Sequence, residues 1–245
     1  YSSMGDTLSN TNGIIANNFV SIETNSTYTT RGIEVQDVSH VDVVYNSILL
    51  YGNNTGSMGL YSGGVVNQLN FKNNASINRA NGYACAYYGQ PTTGFSSDYN
   101  ALYTSGSVLA MLDGDPYADL AVYDTTGFDT HSVSVNPTFF SNYDLHTYSS
   151  DLNGAGTPLS NVTDDIDGQS RQTGLPPMTL GANDPDIGAD EFDPPAQEAE
   201  LIAIVSPVSG CGLGNEDVTI RIANNGTAPI NGNFQAAYEI GRASC

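Results

Sequence analysis

The chain has 245 residues, of which 26 are acidic and 6 basic, giving a formal net charge of −20. That balance, with no basic patch, argues against nucleic acid and anionic membrane surfaces as partners, and no apolar run is long enough to cross a bilayer as a helix. Charged residues make up only 13% of the chain while Gly (26) and Tyr (15) are abundant and Trp is absent, a composition that speaks against long helices and for many short strands joined by turns.

Four asparagines recur along the first hundred residues, Asn18, Asn46, Asn74 and Asn100, and each leads into a short apolar run. The steps between them are 28, 28 and 26 residues, a period expected of stacked repeats rather than of a globular sandwich. Between the asparagines, residues 32–35, 41–45, 59–61, 65–66, 69–71 and 82–88 read as strands. Alternation puts Val41 and Val43 on one face. Ile33, Val35, Val43, Ile48 and Leu69 are predicted to point inward and form one continuous core. Asn suits a recurring corner because it tolerates left-handed backbone, and stacked amides can bond in a ladder. Cys85, inside the string Tyr-Ala-Cys-Ala-Tyr-Tyr, is expected to be a buried thiol.

This pattern resembles the right-handed parallel β-helix proteins, the group that includes pectate-lyase-like folds. The resemblance is closer from residue 98 onward. Asp98-Tyr-Asn-Ala-Leu-Tyr103, Asp119-Leu-Ala-Val-Tyr123, Thr130-His-Ser-Val-Ser134, Asn136-Pro-Thr-Phe-Phe140 and Tyr143-Asp-Leu-His146 follow in order. Asp165-Ile-Asp-Gly-Gln169 and Asp186-Ile-Gly-Ala-Asp-Glu-Phe192 close the stretch. That succession is similar to the C-terminal end of bacterial surface β-helix domains, which implies a degenerate last coil and a looped C-terminal cap. The expected fold class is therefore all-β, a right-handed parallel β-helix over residues 1–193. Residues 194–200, Pro-Pro followed by acids, read as a solvated linker. Residues 201–245 contain Leu-Ile-Ala-Ile-Val and Val-Thr-Ile-Arg-Ile-Ala and resemble the start of a CARDB-type immunoglobulin-like module. A complete sandwich needs about 100 residues, so this one is expected to be truncated. Whether Cys211 and Cys245 pair stays open. The whole is expected to be a fragment of a larger secreted or cell-surface bacterial protein.

Parallel β-helices that act on polysaccharides need converging carboxylates, or a base with a cation. In the regular coils the candidate proton-transfer residues are Asp37, His40 and Asp42, although their spacing does not reproduce the carboxylate set of polygalacturonase-like enzymes. Lys72 and Arg79 are the only bases near the middle coils available to hold an anionic sugar. His131 and His146 have no neighbouring nucleophile and read as structural. Eighteen acids against one base, Arg171, lie between residues 98 and 200, and clustered carboxylates attract divalent cations. Asp165 and Asp167, in Asp164-Asp-Ile-Asp-Gly168, are the candidate Ca²⁺ ligands, with Asp113 to Asp119 as a second stretch. No cofactor is required by any motif. Tyr61, Tyr87 and Tyr88 are candidate exposed rings for sugar stacking. The functional expectation is a non-catalytic extracellular scaffold for adhesion or contact with polysaccharide or cell-surface glycan. The alternative is a polysaccharide lyase or glycoside hydrolase whose catalytic coils lie mostly upstream.

Overall fold

One period of about 28 residues carries three strand-forming stretches, and each period closes into one coil. The computed structural model describes residues 12–25, 27–64, 67–90, 92–173, 184–197, 199–207, 215–224, 226 and 228–231. The chain divides into two compact units, Tyr1–Asp193 and Pro194–Cys245. The first coil of the larger unit comprises β1 (Gly13–Ala16), β2 (Phe19–Thr24) and β3 (Arg31–Gln36), and the second comprises β4 (Val41–Val44), β5 (Ser47–Gly52) and β6 (Met58–Gly63). The third holds β7 (Leu69–Lys72), β8 (Ala75–Asn78) and β9 (Tyr83–Tyr87); the fourth holds β10 (Phe95–Asp98), β11 (Ala101–Thr104) and β12 (Ala110–Leu112). Equivalent strands stack into three parallel sheets, β1-β4-β7-β10, β2-β5-β8-β11 and β3-β6-β9-β12. The unit is a β-solenoid. Its register repeats the asparagine spacing, with Gly13 beside Val41, Val41 beside Leu69 and Leu69 beside Phe95.

The asparagines stack at the corner between the first and second sheets. Oδ1 of Asn46 accepts from the backbone N (3.2 Å) and Nδ2 (2.8 Å) of Asn18. Asn74 does the same for Asn46 at 3.2 and 2.9 Å, and Asn100 for Asn74 at 2.9 and 3.1 Å. The amides also donate back to the preceding coil, to the carbonyls of Ile15, Val43 and Phe71. Left-handed backbone falls on the residue before each ladder asparagine, Asn17 (φ 57°), Tyr45 (φ 52°), Asn73 (φ 57°) and Tyr99 (φ 57°). This corrects the expectation that the ladder residues themselves would adopt it. The first corner residue reverses the chain, which frees the second to aim its amide along the stack. The last rung has no fifth asparagine. Ser132 Oγ accepts from the Asn100 N–H at 2.7 Å and Asp129 Oδ1 accepts from Asn100 Nδ2 at 2.9 Å, so a hydroxyl and a carboxyl terminate the ladder.

Ile33, Val35, Val43, Ile48 and Leu69 all lie in one buried core, together with Leu50, Leu60, Phe71, Tyr87 and Leu102. The columns follow from the register; Ile33, Leu60, Cys85 and Ala110 lie one above the other. Cys85 is fully buried and free, and burial pushes its thiol well above the ordinary range. The tyrosine expectation is corrected: Tyr61 and Tyr87 are buried, Tyr87 stacking on Phe71 with ring centroids 4.8 Å apart, because period-2 alternation turns Tyr87 inward. Tyr88 is half-buried.

The second sheet is covered on both sides. Outside it, Leu49 and Ile77 pack with Phe139 and Leu145, and Ala75 and Ala101 pack with Leu152, Ile187 and Phe192. Burial on both faces explains why residues 47–50 are apolar or buried without alternation. The covering layer is the irregular segment that follows β12. It opens with a hairpin from β12 into β13 (Asp115–Tyr117) through Asp113 (φ 50°) and Gly114 (φ 96°), the two left-handed residues of a type I′ turn. A single helical turn, α1 (Leu120–Tyr123), follows, capped by Asp119, whose side chain accepts from the Val122 N–H at 2.9 Å. Residues 133–173 and 184–193 then lie over the corner and the second sheet. In the smaller unit, β14 (Ala199–Ser206) and β15 (Thr219–Asn224) form an antiparallel pair. Cys211, Cys245 and the strand expected at 65–66 lie outside the described residues.

Candidate functional site

Most of the residues singled out in the regular coils have local partners, whereas the side-chain Nδ1 of His40 is buried without one among the described residues. His40 takes a left-handed backbone (φ 61°) immediately before β4, and its N–H and C=O belong to the inter-coil ladder through Asn67 and Gly13. Asp42 accepts from Asn12 Nδ2 at 2.7 Å, Asn70 Nδ2 at 2.6 Å and Asn161 Nδ2 at 3.3 Å, an amide cage on the outer face of β4. Asp37 (φ 53°) turns the corner after β3, its carboxylate against Gly64, where a Cβ would collide with it. Lys72 lies beside Asp98 in register, and Arg79 donates to Asn136 Oδ1 (2.9 Å) and the Pro137 carbonyl (2.7 Å). His131 bonds Asp98 at 2.8 Å and stacks flat on Tyr99. Of the second acidic stretch, Asp113 accepts from the Gly89 N–H at 3.0 Å and Asp119 caps α1.

The covering layer is held by its own polar network. Arg171 is almost fully buried, lies 3.9 Å from the Tyr45 ring centroid and pairs with Glu191 at 3.3 Å. It also donates to Asn17 Oδ1 and to the carbonyls of Gly188 and Ala189. Asp165 uses its carboxylate on three backbone N–H groups: Asp167 at 2.9 Å, Gln169 at 2.7 Å and Glu191 at 2.9 Å. Asp186 accepts from Gly154 and Phe192 N–H at 2.6 and 2.7 Å. Burial, with Glu191 nearby, pushes the Asp186 carboxyl up to about 8.

These loops wall a cleft of about 310 Å³, lined by Phe140, Tyr148 and Phe192 on one hand and by His146, Asp167 and Asp190 on the other. Phe140 and Tyr148 are 55% and 42% exposed, and their rings meet edge to face at 5.2 Å. His146 is gripped from both ring nitrogens, Nδ1 by Asp144 and Nε2 by Asp167 Oδ2 at 2.8 Å. Burial works against its charge, but the hydrogen bonds to Asp167 and Asp144 prevail and raise its pKa, while Asp144 is lowered by the same contact. Burial raises Asp190 to about 6. One donor atom each from His146, Asp167 and Asp190 lie within 4.8 Å of one another. Of the two carboxylates expected to hold a cation, Asp167 faces the cleft and Asp165 shapes the turn that presents it.

Sequence reasoning had Tyr143 to His146 and Asp186 to Phe192 as ordered strings but gave Phe140, Tyr148, Asp190 and Phe192 no role. Nothing in their spacing announces that three loops meet, since the contacts join residues some 20 to 45 apart with no period. Compared with protein-family models, with curated proteins and with solved structures, the chain matches none of them.

Proposed function

We propose that the protein is a non-catalytic extracellular scaffold that contacts neutral glycan through the cleft of Phe140, Tyr148 and Phe192. The observation that carries this reading is the pair of exposed rings beside carboxylate acceptors in a cleft of about 310 Å³, at the lower end of the range for small-ligand sites. Sugar C–H faces stack on such rings, and their hydroxyls donate to Asp167, Asp190 and Gln169. The surrounding acids disfavour uronate-rich chains. The solenoid supplies rigidity, and the reading carries an extracellular location with it, where polysaccharide is met. The parallel coils support a pectate-lyase-like, right-handed assignment, and the β14–β15 pair supports an opening fragment of an immunoglobulin-like module.

Isothermal titration against soluble glucans, mannans, galactans and arabinans tests the reading. At least one neutral glycan is expected to bind, and Phe140→Ala and Tyr148→Ala are each expected to weaken it about tenfold, in line with about 1–1.5 kcal/mol per ring contact. Binding indifferent to both variants would reject the cleft. Release of reducing ends, lost in Asp190→Asn, would assign it to a hydrolase instead.

A further inference from the structure

We propose that His146, Asp167 and Asp190 form a binding site for a divalent transition-metal ion, Zn²⁺ by its donor chemistry, in the wall of this cleft. One imidazole nitrogen and two carboxylate oxygens within 4.8 Å of one another are a donor set that suits Zn²⁺ with an open position for water or ligand. Ca²⁺ prefers six to eight oxygens and gains little from an imidazole.

Two observations beyond the grouping point to an ion. Asp190 is more than nine-tenths buried, at 7% exposure, and lines the cleft. Among the described residues no N–H of an amide or cationic side chain and no hydroxyl bonds its carboxyl, which faces His146 and Asp167 across the wall of the cleft. A carboxylate in the wall of a cleft with no such donor keeps lone pairs for a cation to fill. Independently, Asp144 holds Nδ1 of His146. A carboxylate on the far nitrogen of a histidine fixes the tautomer that presents the Nε2 lone pair to a metal. Nε2 lies 2.8 Å from Asp167 Oδ2, the second donor of the set.

The three donors are also placed separately by the fold. Asp165 closes the turn that carries Asp167. The backbone on either side of Asp190 is fixed, because the Ala189 N–H donates to Ser47 Oγ and the Glu191 N–H to Asp165 Oδ2. Asp167 is half-exposed, and rotation of its side chain closes the set around an ion. Nothing in this site requires a bound glycan, so it stands or falls apart from the function proposed above.

The test is equilibrium binding of Zn²⁺ alone to the full chain, freed of metal beforehand, by titration calorimetry and by metal analysis after dialysis. One Zn²⁺ per chain is expected, with a rise in melting temperature that follows the free ion by mass action. Asp167→Asn, at a half-exposed position that leaves the fold intact, and His146→Ala are each expected to weaken binding at least tenfold. Asp144→Asn is expected to weaken it about 10- to 100-fold while the stoichiometry is kept, as loss of an orienting carboxylate does. Absence of Zn²⁺ binding, or binding unchanged in a combined His146→Ala and Asp167→Asn variant, overturns the proposal. Ca²⁺ binding as tight as Zn²⁺ and insensitive to His146→Ala also overturns it.

Discussion

Asn74 shows what a single ladder residue does. It is fully buried, its Oδ1 takes two N–H groups from Asn46, and its amide spans to Asn100 and to the Val43 carbonyl. Alanine there takes the acceptor from the Asn46 N–H and the amide from the Val43 carbonyl on the coil before. It also takes one of two donors from Asn100 Oδ1 on the coil after. Each buried polar group left without a partner costs about 1–3 kcal/mol, so Asn74→Ala is expected to lose about 3 kcal/mol in urea unfolding. Asn18→Ala, at the exposed first rung, is expected to lose less than about 1 kcal/mol by the same measurement. An equal loss at both sites would mean that the ladder is decorative. These residues were legible in the sequence because a solenoid repeats its geometry, so a role that recurs every coil leaves a period. Asp129 left none. It terminates the ladder with a carboxyl where a fifth asparagine would otherwise stand, and only the missing next coil explains why.

At the scale of elements, the contrast lies between the strands and the loops over them. Inward positions of β3, β4, β5 and β7 could be read from alternation, since each faces one core and obeys one period. The cleft, Arg171 and the pairing of Asp186 with Phe192 could not, because the covering loops meet by their ends and follow no period. What they do have is a common electrostatic sign. Asp186 is pushed to about 8 and Asp190 to about 6, chiefly by burial, and Asp129 is raised for the same reason. A carboxyl raised above its unfolded value of about 3.9 binds more protons folded than unfolded between those two values, so stability falls as pH rises through that interval. His146, also raised, works in the same direction, since its contribution is complete below about 6.5 and fades as pH rises through its folded value. Asp144, lowered, acts only as pH falls below about 4. The solenoid is therefore expected to be more stable at pH 5 than at pH 8, with Asp186 alone contributing a slope of up to about 1.4 kcal/mol per pH unit. Urea midpoints at the two values check the sign, and Asp186→Asn is expected to flatten the slope. A midpoint that rises from pH 5 to pH 8 would show that Asp186 is ionised at little cost, held by its two N–H donors.

For the solenoid as a whole, the question is whether four coils unfold together. In a plain stack each coil touches only its neighbours, so the ends fray first and stability spreads along one dimension. Here the covering segment bonds to several coils at once. It reaches the first through Arg171 and Asn17, the second through Ala189 and Ser47 and through Tyr45 and the Thr157 carbonyl, and the third through Asn73 and Thr157 and through Arg79 and Pro137. Arg171 is the strongest of these ties, since removing it leaves the buried Glu191 carboxylate without its counter-charge, a loss of about 3–5 kcal/mol. Lysine is no substitute, because its ammonium cannot lie flat on the Tyr45 ring and reach four oxygens at once. Native-state hydrogen exchange separates the two pictures. In the wild type the amides of β1 and β2 are expected to exchange with the same free energy as those of β8 and β11. In Arg171→Ala, β1 and β2 are expected to lose protection first while the third and fourth coils keep theirs. Fraying of the first coil already present in the wild type, and unaltered by the substitution, would reduce the strap to a cover and return the molecule to a one-dimensional stack.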